Sequence, residues 1–214
     1  MKLKDLLWLF IIVVFALLLI IKDTREQFVY LTKTYPYIMG FIKTAILATM
    51  GEVLAKRIRT GTYSISRLTF YKFIVWGFLG LAFVVVFKLF YGGITFATDE
   101  GLLPKGGTFL HALLTSTFMN LIFAPTFMAL HRVTDSYIDL GEGKLGKILK
   151  VKIDTVIAHI DWQVFIKFVV LKTIPFFWIP AHTITFLLPD VYRVLMAASL
   201  SIALGIILSF KGKR

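Results

Sequence analysis

The sequence has no cysteine, which excludes thiolate nucleophiles, disulfides and cysteine-held metals. It is poor in charge, at 17% Asp, Glu, Lys and Arg, and poorer in acid, with 12 acidic residues against 24 basic ones. Scarce carboxylates leave little material for paired acid and base chemistry. No Gly-x-Ser-x-Gly element occurs, and no two acids share a predicted helix at membrane depth. The four histidines, His111, His131, His159 and His182, are not spaced as metal ligands. An enzyme is therefore not expected, nor a bound cofactor or metal ion.

Apolar residues are abundant instead. The chain is 58% hydrophobic and 15% aromatic over 214 residues, with a mean hydropathy of +0.83. Soluble domains are about 45–50% apolar, so a fold of this length in water would leave much of this surface uncovered. Lipid has to cover it. A hydrocarbon core of roughly 30 Å takes about 20 apolar residues per helical crossing, which predicts an all-α, polytopic membrane bundle of about six hydrophobic segments, five to six of them crossing. The net charge of +12 would suggest nucleic acid in a soluble chain. Here the basic residues sit between and beyond the apolar runs, where they face anionic headgroups, so membrane lipids are the expected partners and nucleic acid is not.

The first run, 6–21, follows Lys2 and Lys4 and ends in Lys22-Asp23 rather than in small residues, the pattern of a retained anchor rather than a cleaved signal. Residues 1–35 therefore read as an anchor and loop, and 36–214 as the bundle. Further helices are predicted over 36–55, over 73–91 with a stop at Gly92-Gly93, and over 109–130 with the helix-kinking Pro125 inside. An amphipathic interfacial helix is expected over 145–160. A segment over 164–188, interrupted by the helix-kinking Pro175 and Pro180, either crosses or re-enters, and a last helix covers 194–210. With six crossings, basic residues favour one side by about three to one, which places both termini on the cytoplasmic or matrix-like side of a prokaryotic plasma membrane or an organelle membrane.

Helices in lipid associate through small residues and interhelical hydrogen bonds. Small residues recur at Gly40, Thr44, Ala48, Gly51 and Ala55, at Ala112, Ser116, Asn120 and Ala124, and at Ala197, Ser201, Gly205 and Ser209. These three helices are expected to form the centre, and a homo-oligomer is compatible with the remaining apolar faces. Ionisable groups at depth are costly. Lys43 and Lys88 are expected to reach the headgroups along their stems. Glu52 lies on a small face, and Asn120 lies in mid-helix shortly before Pro125.

The stretch Trp178-Ile179-Pro180-Ala181-His182-Thr183-Ile184-Thr185-Phe186-Leu187-Leu188-Pro189, with Arg193 and a closing Leu208-Ser209, resembles the C-terminal signature of the Mpv-seventeen and peroxisomal-membrane-protein family. Gly51-Glu52 stands where that family has Gly-Asp, Arg67 where a basic residue precedes a helix, Gly80 in a Gly-Pro element, and Pro125 after a polar pair. The likeness runs from Pro36 to the end. It departs from the family at Leu81 for Pro, Val84 for His, Met119-Asn120 for Asp-Gln, His182 for Gln, Thr185 for Asn and Leu204 for Trp. The pair at 119–120 has thus lost its acid, and the first anchor is an addition to the usual spans.

The resemblance implies a weakly selective channel for small solutes or ions. On that reading Glu52, Asn120, His182 and Thr185 line the path, Pro125 and Pro180 free carbonyls toward it, and Arg67 and Arg193 act at a mouth or as headgroup anchors. The alternative is a non-conducting scaffold or accessory protein of membrane homeostasis or stress response, whose polar groups only hold helices together.

Overall fold

The computed structural model describes residues 3–63 and 65–211. Among the described residues the chain is helical, with no strand. Helix α1 (Leu3–Ile20) is the first apolar run. Residues 22–35, read as a loop, instead form α2 (Lys22–Thr34), set off from α1 by extended backbone at Ile21 and burying Phe28. Helix α3 (Pro36–Thr60) starts on a proline, whose missing N–H is harmless in the first turn, and stops at Gly61, whose φ of 75° favours glycine.

Helix α4 (Arg67–Asp99) opens on a capping box between Ser66 and Thr69. It runs through Gly92-Gly93, where a stop was expected. Each glycine weakens a helix by only about 1 kcal/mol, a cost that this 33-residue helix absorbs. The fourth run is α5 (Thr108–Ile122) and α6 (Ala124–Leu140), bent by 47° at a break where Pro125 lacks the N–H that would bond one turn back. Helix α6 continues well past residue 130 and so carries His131 and Asp135 as helical positions. Two short helices, α7 (Leu145–Ile148) and α8 (Ile153–His159), replace the single interfacial helix expected there.

Helix α9 (Trp162–Leu187) passes through both prolines without a break. Its stretch Phe165–Trp178 is wound as a π-helix, whose wider turn gives the Pro175 ring room against the preceding carbonyls. Helix α10 (Asp190–Lys211) closes the chain. Helices α1, α3, α4, α9 and α10 are each long and apolar enough to cross a bilayer, and the bent α5–α6 pair makes a sixth if it is one span. The fold is the multi-pass helix bundle anticipated.

Helix α3 is the centre, with α4 on one side and α10 on the other. Small residues make both contacts: a Cβ on Gly80 would lie 2.4 Å from the Gly40 carbonyl oxygen, and one on Gly205 would lie 2.8 Å from that of Gly51. The α3 and α10 stripes thus face each other as expected. The α5 stripe does not join them; it packs chiefly on the end of α9, where Ser116 donates to the Ile179 carbonyl at 2.7 Å. Helix α1 buries none of its residues. It is tied to α3 by the Trp8 indole, which donates to the Met50 carbonyl at 3.1 Å, and by an Asp5–Arg57 ion pair at 3.0 Å. Lys2 and the side chains of Ser209 and the C-terminal basic residues lie outside the described residues.

Candidate functional site

Between α3, α4, the α5–α6 bend, α9 and α10 lies a cavity of about 500 Å³. One end is charged. Glu52 projects from α3, about 12 Å before that helix ends at 1.5 Å per residue, and its Oε1 accepts a 2.7 Å hydrogen bond from the Trp76 indole of α4. His131 of α6 lies with Nε2 3.6 Å from the same oxygen and 3.7 Å from Asp135 Oδ2, one turn further on. Its ring lies over Trp76, with centroids 4.2 Å apart. Lys72 completes the group, with Nζ 3.5 Å from both Asp135 Oδ2 and Asp139 Oδ1. Lys56, Arg59 and Arg132 stand at the rim with exposed side chains.

The other end is neutral. Asn120 of α5 is fully buried and His182 of α9 nearly so. The imidazole Nδ1 faces the amide, 3.0 Å from Nδ2 and 3.1 Å from Oδ1, so the pair can bond in either tautomer. The amide also donates to the Ser116 carbonyl at 2.8 Å, which fixes its position. Trp178 stacks on His182 at 5.2 Å between centroids. From Asn120 to Asp135 along the bent pair is roughly 20 Å of helical rise.

Three polar atoms of cavity-lining residues, Trp178 Nε1, His131 Nδ1 and Asp135 Oδ1, are out of contact with solvent and have no hydrogen-bond partner. Buried polar groups in folded proteins are almost always bonded, to protein, water or a ligand. These three belong to both ends of one cavity, which marks it as a place where a polar guest or ordered water is stabilised.

A second cavity, of about 140 Å³, lies toward the opposite end of the bundle. Lys33, Lys43, Lys88 and Arg193 line it against a single acid, Asp190. Phe87 lines both cavities and is 2% exposed. Its ring is held by His182 at 5.9 Å, Phe186 at 5.4 Å and Phe83 at 5.5 Å between centroids.

Of the residues singled out in the sequence, Glu52, Asn120 and His182 line the large cavity. Thr185 lines neither cavity; fully buried, it bonds back to the Ala181 carbonyl of its own helix at 3.0 Å. The Ile179 carbonyl, next to Pro180, accepts hydrogen bonds from the Ser116 and Thr183 hydroxyls. Arg67 is exposed at the start of α4. Arg193 is not a headgroup anchor: it is 8% exposed, donates to the Leu188 and Phe186 carbonyls, and stacks 4.2 Å over Tyr91. Lys43 does not reach the headgroups either. It is 1% exposed, with Nζ donating to Thr32 Oγ1 at 2.8 Å and lying 4.4 Å over the Phe28 ring. Lys72, Trp76, Phe87 and Asp135 were not singled out, His131 was set aside with the other histidines and Trp178 was quoted only in the C-terminal signature; the i,i+4 spacings of Lys72 with Trp76 and His131 with Asp135 carried the signal once both stretches are read as helix. The chain matches no protein-family model, no curated protein and no solved structure.

Proposed function

We propose that this chain is a weakly selective channel for small solutes or ions. The observation that supports it most is the pair of cavities toward opposite ends of the bundle, with the Phe87 ring lining both. The large cavity offers charges of both signs at its outer end and a hydrogen-bonding amide–imidazole pair at its inner end, a path that excludes neither cations, anions nor polar neutrals strongly. The resemblance to the Mpv-seventeen and peroxisomal-membrane-protein family points the same way. By the distribution of basic residues, the large cavity opens on the cytoplasmic or matrix-like side, where both termini also lie.

One feature favours a second reading. Phe87 is packed on three aromatic neighbours between the two cavities, which is what a non-conducting scaffold would also show. Liposome swelling and single-channel recording separate the two. A channel built this way gains conductance in Phe87→Ala and changes its solute cut-off in Asn120→Leu and His182→Leu. Absence of current and swelling from inserted wild type and from Phe87→Ala alike leaves the scaffold.

A further inference from the structure

The charged end of the large cavity places one imidazole between two carboxylates. Glu52 comes from the central helix α3, and His131 and Asp135 from successive turns of α6. The separations of 3.6 and 3.7 Å from His131 Nε2 to Glu52 Oε1 and Asp135 Oδ2 are longer than a hydrogen bond, which has its N···O distance at about 2.7–3.2 Å. They match the spacing of about 3.4 Å between ligand atoms that each lie about 2.1 Å from a four-coordinate cation. One ligand atom from each of the three residues lies within 4.8 Å of the other two.

A second observation concerns what these groups leave unbonded. His131 Nδ1 and Asp135 Oδ1 are buried atoms without partners. Asp135 meets Lys72 through Oδ2 while its Oδ1 has no partner, so the carboxylate has acceptor capacity left for a second positive centre. Glu52 is already oriented by the Trp76 N–H, the kind of outer contact that fixes a ligating carboxylate. Lys72 also reaches Asp139, which gives it a place to withdraw to when an ion takes up the charge of Asp135.

We propose that Glu52, His131 and Asp135 bind one divalent first-row cation of the Mn²⁺, Co²⁺ or Zn²⁺ class, with water from the cavity completing its shell. One nitrogen and carboxylate oxygens suit these ions, and none of the three side chains offers the sulfur that Cu⁺ prefers. The site rests on the cavity and not on conduction, because binding is read on solubilised protein. A cation here sits at the outer end of the cavity, beneath the Lys56 and Arg59 rim, where it would act as a structural clamp between α3 and α6 or as a plug.

The test uses the full chain, purified in detergent and stripped with chelator, then equilibrated with Mn²⁺, Co²⁺ or Zn²⁺ alone. Wild type is expected to retain one ion per chain, and its Co²⁺ form to show visible d–d absorption. Glu52→Gln and Asp135→Asn are expected to abolish retention, and Trp76→Phe to weaken it by roughly 10–100-fold. Lys72→Met separates a metal site from an ion-pair network: it is expected to hold the ion as tightly as wild type or more so, because the competing cation is gone. Failure of wild type to retain an ion from all three metals overturns the proposal on its own, even where a variant does not fold. Retention that survives in folded Glu52→Gln and Asp135→Asn overturns it as well. Swelling measured with and without chelator is a separate readout, so loss of the site and loss of conduction are distinguishable.

Discussion

The same chemical change, glycine to alanine, is expected to have opposite effects at two positions of α4. At Gly80 the new Cβ would meet the Gly40 carbonyl oxygen at 2.4 Å and Thr44 Oγ1 and Cβ at 2.7 and 2.8 Å, where ordinary contacts begin at 3.4 Å. The obstacle at Gly40 is backbone, so α3 and α4 have to part by about 1 Å. A gap of that size forfeits a quarter to a half of each dispersion contact along the seam, and overpacking of this kind typically costs about 1–3 kcal/mol. The gain in helix propensity offsets up to about 1 kcal/mol of it. At Gly92 a Cβ meets nothing within 4 Å, so only the propensity gain remains. Gly80→Ala should therefore lower stability and Gly92→Ala leave it level or raise it. Thermal or denaturant unfolding in mild detergent, followed by far-ultraviolet circular dichroism, reads the difference. A control sharpens it. At Gly40 the nearest atom to a new Cβ is Val84 Cγ2 at 2.5 Å, so Val84→Ala should partly rescue Gly40→Ala but not Gly80→Ala. Equal shifts at positions 80 and 92, within about 0.5 kcal/mol, would refute the claim that backbone contact between these helices holds the centre together.

Two further changes probe polar groups at depth. Lys43→Met removes a buried ammonium without orphaning its partner, since Thr32 Oγ1 still donates to the Phe28 carbonyl at 2.7 Å; the melting temperature should hold or rise, and a clear fall would show that the amine stabilises the fold. Trp8→Phe combined with Asp5→Ala removes the indole bond to Met50 and the ion pair with Arg57 that tie α1 to α3, and should weaken that docking by about 1–2 kcal/mol, seen as faster amide exchange in α1 with the rest of the bundle unchanged.

Lipid imposes the apolar runs, so the sequence located the crossing segments, the bend at Pro125 and the facing stripes of α3 and α10. Helix continuity was less legible. Gly92-Gly93 weakens a helix without ending it, a cost that a 33-residue helix absorbs, so residue type alone misplaced the end of α4. The site was partly legible. Glu52, Asn120 and His182 stand out as polar groups in apolar runs, and all three face the cavity. Lys72, His131 and Asp135 lie in stretches whose composition resembles a loop or interface, and only the length of α6 and its approach to α4 bring them inward. Thr185 shows the converse: a hydroxyl in an apolar helix can satisfy itself one turn back and face no path at all.

The shared position of Phe87 also has an electrical meaning. If water fills both cavities, most of the bilayer thickness at the centre of the bundle becomes conducting medium, and the insulating layer thins to the Phe87 and His182 rings. A membrane potential that elsewhere falls over roughly 30 Å would then fall over a few ångströms. A unit charge crossing that layer would experience nearly the whole of the roughly 2.3 kcal/mol per 100 mV across those two rings. The membrane field would then be concentrated on whatever charge passes them, without any charged helix having to move.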